Sequence, residues 1–484
     1  MTPKDIRKRR TKIVATLGPA SSTAEVIGEL LDSGVNVFRL NFSHGSHERH
    51  IANVAIVREQ AAQRNRHIGI LGDLQGPKIR IGDLQSETKA LSSDQLLVLT
   101  TNIESADSHN DRIHVAYQPL PESVGEGDTL LLDDGLIRLE VTGVSGQDVS
   151  CKVVQAGILK SRKGINRLGG GLSAAAITEK DMQDLQVIID QDLEYVAVSF
   201  PCCGDDLLPV RDALNKVKSG AKIVAKIERA EAVETEENLK ELINAADAVM
   251  VARGDLGVEI GDPQLISIQK RIIRLSRQAN KPVITATQMM ESMISNPVPT
   301  RAEVFDVANA VLDGTDAVML SGETAAGKFP SKVVRAMAET AVGAEKHPMM
   351  AKSSYRVDRV FDSMDESIAM AAMYAANHLN DICAIVCLTE SGTTPLLASR
   401  LSSILPIYGI SRHYSTCRRM ALYRGVIPMH FDVTQAGDNV WDAAMNLIAQ
   451  RGELLPGQRI AITCGDLHGE GGSTNTLKIL QYKP

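Results

Sequence analysis

Short apolar, β-branched runs recur eight times along the first two thirds of the chain, and this alternation constrains the fold more than any other feature. The runs are "TKIVATLG" from residue 11, "VNVFRLNFS" from 35, "HIGILGDLQ" from 67, "YVAVSF" from 195, "KIVAKIE" from 222, "AVMVARGDL" from 248, "PVITATQ" from 282 and "DAVMLSGET" from 316. Between most of them lie amphipathic segments that carry helix-start signals. "SSTAEVIGELLDSG" opens on Ser and Thr and stops at Gly34, and "TEKDMQDLQVIID" sets Thr178 three residues before Asp181. Strand and helix alternating in this way predict parallel strands closed into a (β/α)8 barrel, an α/β fold.

One gap differs. Between the third and fourth runs lie more than a hundred residues, in which "DQLLVLTT", "DTLLLDDGLIRLEVTGV" and "DVSCKVVQA" are separated by the turn signals "GEGD", "DDG" and "SGQD". No helical period runs through this stretch, which predicts a small all-β domain inserted at the C-terminal rim of the barrel. Its return leg, "KGINRLGGGLS", offers a glycine hinge, so the insert can serve as a lid. After about residue 350 shorter helix and strand units predict an open α/β domain. The expected boundaries are 1–73 and 169–350 for the barrel, 74–168 for the β lid and 351–484 for the C-terminal domain.

With 52 basic and 59 acidic residues the net charge is −7, which gives no reason to expect nucleic acid. The basic "RKRR" at 7–10 reads as a solvated tail. No span suits a membrane helix and no apolar signal segment follows the first Met, so a cytoplasmic protein is expected. The seven cysteines have no zinc spacing and read as free thiols.

In such a barrel, chemistry sits where strands end and loops begin. Those ends are polar: Arg39, Asn41 and Ser43 after strand two, Asp73 with Lys78 and Arg80 after strand three, and Lys226 and Glu228 on strand five. Arg253 and Asp255 follow on strand six, Thr285 and Thr287 on strand seven, and Ser321 and Glu323 on strand eight. Each close pair taken alone reads as a structural salt bridge, but an i, i+2 polar pattern at six strand ends predicts convergence on one site. Glu228 and Asp255 suit Mg²⁺, which keeps oxygens from water or substrate. Arg39, Arg80 and Lys226 suit phosphate oxygens, and the turn "ARGDLG" offers backbone N–H groups to an anion. Metal, cations and an anion-binding turn together predict phosphoryl transfer.

"GETAAGKF" from Gly322 imitates a P-loop, but Phe329 stands where a hydroxyl must meet Mg²⁺, and Pro330 follows where a helix would run. "GDLGVEIG" lacks the spacing of a dinucleotide fingerprint.

The motifs "NFSHG", "GDLQGPKIR", "KGIN", "KIER", "VMVARGDLGVEI", "ITATQMMESMI", "PTRAEVFDVANAVLDGTDAVMLSGETAAGKFP" and "GSTNT" resemble the pyruvate kinase family from about residue 11 to the C-terminus. The resemblance implies transfer of a phosphoryl group from phosphoenolpyruvate to ADP, giving pyruvate and ATP. It implies that Glu228 and Asp255 ligate Mg²⁺ (or Mn²⁺), that Lys226 neutralises the migrating phosphoryl, and that Arg39 holds the phosphate. Gly254, Asp255 and Thr287 would bind the substrate carboxylate, and His44, Arg80 and Lys163 would face the nucleotide. Asn41, Ser43 and Asp73 match the family's monovalent-cation site. Thr287, Ser321 and Glu323 are the groups that could position or relay a proton to the enolate.

Many family members carry Glu at the position of Lys78 and need K⁺. Here a fixed ammonium is expected near the place of that ion, which predicts activity without it. In the C-terminal domain "TESGTT", with Thr389, Ser391, Gly392, Thr393 and Thr394, and "GDLHGEGGSTNT" resemble the family's effector loops, implying a sugar-phosphate or nucleotide-monophosphate effector. A homotetramer is implied as well. Two rival readings are a metal-dependent aldolase, which leaves the lid and Lys226 without a job, and a non-catalytic metabolite sensor, which has no need of Lys226, Glu228, Asp255 and Thr287 together.

Overall fold

The computed structural model describes residues 9–172, 176–351, 356, 358–432, 440–465 and 474–483. In chain order the strands are β1 (Lys12–Thr16), β2 (Val37–Asn41) and β3 (Gly69–Asp73), followed by eight in the interruption: β4 (Thr88–Leu91), β5 (Leu96–Thr100), β6 (Arg112–His114), β7 (Thr129–Leu132), β8 (Ile137–Ser145), β9 (Asp148–Gln155), β10 (Gly157–Lys160) and β11 (Ile165–Arg167). Next come β12 (Tyr195–Val198), β13 (Lys222–Ile227), β14 (Ala248–Ala252), β15 (Val283–Ala286) and β16 (Ala317–Leu320). The C-terminal part holds β17 (Ile382–Leu388), β18 (Ile407–Ser411), β19 (Val426–His430), β20 (Arg459–Gly465) and β21 (Thr474–Gln481).

The eight predicted barrel runs all form strands, and they close in the order β1-β16-β15-β14-β13-β12-β3-β2. The insert has a six-stranded sheet and a two-stranded ribbon with a core of its own around Leu99, Leu130, Leu139 and Val153. The C-terminal sheet runs β19-β18-β17-β20-β21, parallel except for the last strand. Local signals act as read: Thr23 caps the Ala24–Ser33 helix, Gly34 ends it with φ 116°, and Thr178 and Asp181 form a capping box. Pro330 differs from expectation. It opens the Pro330–Glu345 helix instead of preventing it, because the first helical turn needs no N–H from that residue.

Strand parity explains where polar groups can gather. Val37, Leu71, Tyr195, Val224 and Met250 point into the barrel and pack in one apolar cluster that continues into Met420, Leu422 and Val426 of the C-terminal domain. Two residues further along the same faces stand Arg39, Asp73 and Lys226. The interior is therefore greasy at the base and charged at the rim.

The C-terminal domain plugs the base with arginine. Arg400, 1% exposed, clasps Asp316 just before β16, with Nη1 at 3.1 Å from Oδ2 and Nη2 on Oδ1. The backbone N–H groups of Val283 and Arg424 donate to the same carboxylate at 3.0 and 3.1 Å. The basic cluster read as a solvated tail is in part buried here. Arg9 donates to the carbonyl of Gly34 at 2.7 Å and to Asn36 at 2.6 Å, while Arg10 bonds the carbonyls of Glu345 and Ser403 at 2.7 Å each. Carbonyls at helix ends and loops attract these cations, a long-range match that a charge run does not reveal. Arg7 and Lys8 lie outside the described residues.

Candidate active site

Three strands deliver the central charges. Lys226, next to last in β13, has its ammonium 2.9 Å from Glu228 Oε1, 3.3 Å from Asp73 Oδ1 and 2.7 Å from Ser199 Oγ. Arg39 Nε donates to Asp73 Oδ2 at 2.6 Å, and its Nη1 to Thr16 Oγ1 at 3.1 Å. Lys226 and Glu228 form an ion pair, and that pair sits in the charged rim. Burial opposes ionisation of Asp73, but Lys226 and Arg39 hold its carboxyl below the usual range. Burial pushes Glu228 up to about 7; Lys226 opposes that rise, while Asp255 and Asp73 add to it. Asp255 thus lies close enough to Glu228 for the two charges to repel.

Two neighbouring carboxylates suit a hard divalent cation, and Mg²⁺ is commonly held by one or two carboxylates with the remaining positions on water or phosphate. No group of three or more His, Cys, Asp or Glu side chains gathers at metal distance among the described residues. The donor set therefore fits Mg²⁺ completed by substrate oxygens and not an all-protein cage.

Several sequence-predicted pairs are rearranged. β14 stops at Ala252, so Arg253 and Asp255 stand in the first turn of the Arg253–Ile260 helix, where i and i+2 no longer face one way. Arg253 turns aside to Asp306 at 2.7 Å and to the carbonyl of Thr287 at 2.7 Å. Thr285 is buried and bonds Thr315 at 3.0 Å, while Thr287, with φ 67°, has left the strand. Its hydroxyl accepts from the Gly254 N–H at 2.8 Å and donates to the Ala286 carbonyl, which brings Gly254 and Thr287 together as predicted. Ser321 and Glu323 lie beyond β16. The Glu323 carboxylate, raised by burial, accepts the backbone N–H groups of Ser321 at 2.6 Å and Met290 at 3.3 Å. It holds the loop carrying Ser321.

Lys78 is the clearest correction. Its ammonium meets Asp255 Oδ1 at 3.0 Å and Asp134 Oδ1 at 3.4 Å, so it reaches one predicted Mg²⁺ carboxylate and not Asn41, Ser43 and Asp73. The reason is occupancy of charge: Asp73 is already taken by Arg39 and Lys226. Asn41 accepts from the Ser43 N–H at 3.1 Å and its strand pairs it with Asp73, so that trio does cluster.

Of the predicted nucleotide-facing residues, Arg80 and Lys163 meet at the stem of the insert. Arg80 bridges to Gly164 and donates to the carbonyl of Arg162 at 3.0 Å, and Lys163 pairs with Asp133 at 2.7 Å. His44, in the loop after β2, is exposed, its carbonyl accepting from His50. A cavity of about 330 Å³ lined by Lys78, Asp134, Arg138, Gly254, Asp255 and Gln288 opens between rim and insert. In the C-terminal domain the predicted effector loop is folded on itself. Thr389 accepts from the Gly392 N–H at 2.9 Å, Ser391 and Thr393 share a bond at 2.8 Å, and Thr394 meets Thr474 at 2.7 Å. Most of "GDLHGEGGSTNT" lies outside the described residues.

Sequence reasoning missed Ser199 and Thr16. Each follows or ends an apolar strand with one hydroxyl, and parity from Tyr195 or Val14 was the available signal.

Comparison with known proteins agrees with this architecture. Residues 8–334 match the family model described as pyruvate kinase, barrel domain, and residues 366–480 the one described as pyruvate kinase, alpha/beta domain. Pyruvate kinase II of Salmonella typhimurium is 52% identical over 474 residues, covering 98% of this chain and 99% of that protein. A pyruvate kinase of Geobacillus stearothermophilus is 39% identical over 98% of this chain and 80% of its own length. The crystal structure of a pyruvate kinase from Cryptosporidium parvum superposes with a TM-score of 0.91 at 33% identity, covering 99% of this chain and 98% of that one. Rim chemistry, three-part architecture and full-length similarity coincide, and the chain belongs to the pyruvate kinase family.

Proposed function

We propose that the barrel rim moves the phosphoryl group of phosphoenolpyruvate to ADP with the following division of labour, supported above all by the shared Lys226 ammonium between Asp73, Glu228 and Ser199. Arg39, aimed by Asp73 and Thr16, grips the substrate phosphate. Lys226 meets the charge that develops on the migrating phosphoryl, already oriented before the reaction begins. Glu228 and Asp255 would hold Mg²⁺ or Mn²⁺, which would supply further neutralisation of phosphate oxygens. The Gly254 and Asp255 turn with Thr287 receives the substrate carboxylate, and Ser321, held in place by Glu323, faces the enolate. Arg80, Lys163 and His44 address the nucleotide, and the insert excludes water when it closes on the rim.

A coupled assay with lactate dehydrogenase tests the reading. Pyruvate must form only when phosphoenolpyruvate, ADP and Mg²⁺ are all present; absence of turnover would return the aldolase and sensor readings to contention. The Lys78 ammonium pairs with Asp255 and Asp134 and not with Asn41, Ser43 and Asp73, so a rim that works without added K⁺ is supported by the residue type at this position and not by its contacts. Rates in buffer free of Na⁺ and K⁺ should match those at saturating K⁺, and strong activation by K⁺ would refute this. The remaining parts of the reading are the boundaries at 73, 168 and 350, a phosphorylated effector at Thr389–Thr394, a homotetramer and a cytoplasmic location. They follow from family membership and the loop chemistry. No described helix is long and apolar enough to cross a membrane.

A further inference from the structure

We propose that Glu259 is a positioning residue for phosphoryl transfer: its buried carboxylate, with Arg229 and Glu231, latches the return leg of the insert onto the two rim segments that carry Glu228 and Asp255. This inference rests on the phosphotransferase reading of the rim and adds the element that tells the rim where the insert is.

Glu259 is 2% exposed, and its carboxylate and carbonyl oxygens all have partners in other segments. Oε2 accepts from the Ala230 N–H at 2.8 Å, two residues after Glu228. Oε1 accepts from Asn166 Nδ2 at 3.1 Å, on strand β11 of the insert, and lies 3.3 Å from Arg229 Nε. The Glu259 carbonyl accepts from the Gly169 N–H at 2.8 Å. Asp255 is four residues earlier on the same helix, one turn away and on the same side. One side chain and its own peptide therefore tie together the end of β13, the helix of Asp255 and the insert.

The leg that is held is the one with most freedom to rotate. Gly169, Gly170 and Gly171 have φ of 90°, 85° and 95°, values that other residues rarely adopt. A free triple-glycine leg would let the insert wander, yet it is pinned on both sides. The Gly171 N–H donates to Glu231 Oε1 at 2.6 Å, and Arg229 Nη2 donates to the Leu172 carbonyl at 2.6 Å while Nη2 also meets Glu231 at 3.0 Å. Arg229 and Glu231 lie one and three residues beyond Glu228 in the chain. Any shift of the leg is thus transmitted to the peptides next to a predicted metal ligand. The carboxylate's partners lie in two segments other than its own helix, the stretch after β13 and strand β11 of the insert.

The experiment compares wild type, E259Q and N166A in the coupled assay, reading kcat, the KM for ADP and the Mg²⁺ activation constant, with thermal unfolding in parallel. Wild-type turnover tests the phosphotransferase reading itself, so failure there is separate from failure of the latch. In E259Q the amide cannot accept at both former oxygen positions. The KM for ADP and the Mg²⁺ constant should each rise about tenfold, as expected for loss of a hydrogen bond to a charged group, with kcat changed less than about threefold. N166A cuts only the insert side, so the KM for ADP should rise while the Mg²⁺ constant stays near wild type. If both variants keep wild-type constants, or if only the melting temperature falls, Glu259 is a staple of the fold and the proposal is overturned. Should E259Q fail to fold, N166A decides alone by the same split.

Discussion

Asp316 at the base of the barrel and the Asp73–Lys226–Glu228 group at its rim bury charge in different ways. At the base, Asp316 is clasped by Arg400 through both oxygens and receives two backbone N–H groups besides, so its acceptor sites are filled from several directions. At the rim, one ammonium, Lys226, is divided among Asp73, Glu228 and Ser199; Glu228 also accepts the Phe200 N–H at 2.9 Å, yet burial, with Asp255 and Asp73 beside it, pushes its carboxyl up to about 7. Buried ion pairs persist when geometry and extra hydrogen bonds offset desolvation. Asp316 meets that condition internally, whereas at the rim Asp73 Oδ1 has the Lys226 ammonium at 3.3 Å and no hydrogen-bond partner among the described residues. A completed cluster stabilises; an uncompleted one has electrostatic capacity left for a cation and a phosphoryl group.

The largest expected break in this contrast comes from Lys226→Met. Removing the ammonium at the rim should lower kcat about 10³-fold, roughly 4 kcal/mol of barrier, with far-ultraviolet circular dichroism unchanged. A loss below tenfold would mean that Lys226 is only a structural partner of Glu228. The converse change, Arg400→Met, should cost about 3 kcal/mol of folding stability in urea titration, because Asp316 keeps its charge and loses its cation. Its kcat at a temperature where it is folded should stay within about threefold of wild type. A large kcat defect would show that base and rim are not separable.

Legibility of the sequence divides along the same line. Parity along β2, β3 and β13 needs only residue types and spacing, so Arg39, Asp73, Lys226 and Glu228 are assignable to one face from the order of residues alone. Polar residues that leave a strand early are harder. Arg253 and Thr285 share the i, i+2 pattern, but a helix start and a left-handed residue turn them elsewhere. The base was illegible because its partners lie far apart in the chain: nothing local to "RKRR" or to Arg400 names Gly34, Ser403 or Asp316 as its acceptor. Lys78 failed for a related reason, since the choice between Asp73 and Asp255 depends on which carboxylate already has cations.

The smallest expected effect sharpens the view of the base. Burial pushes Glu194 up to about 7, against the opposing pull of Arg418 and Arg58. Its folded value lies above the unfolded value near 4.5, so the folded chain binds the extra proton and stability falls as pH rises from about 4.5 to about 7. Glu194→Gln should flatten this part of the stability curve, measured by urea titration at several pH values. An unchanged slope would show that the two arginines already cancel the burial.

The most direct test of an uncompleted rim is a Mn²⁺ titration followed by electron paramagnetic resonance, in the presence of phosphoenolpyruvate, on wild type and on Glu228→Gln. The expected result is one tight Mn²⁺ per chain in wild type and at least tenfold weaker binding in the variant, with the fold intact. Equal affinity in both would contradict the assignment of Glu228, and with it the claim that the rim carboxylates await a divalent cation.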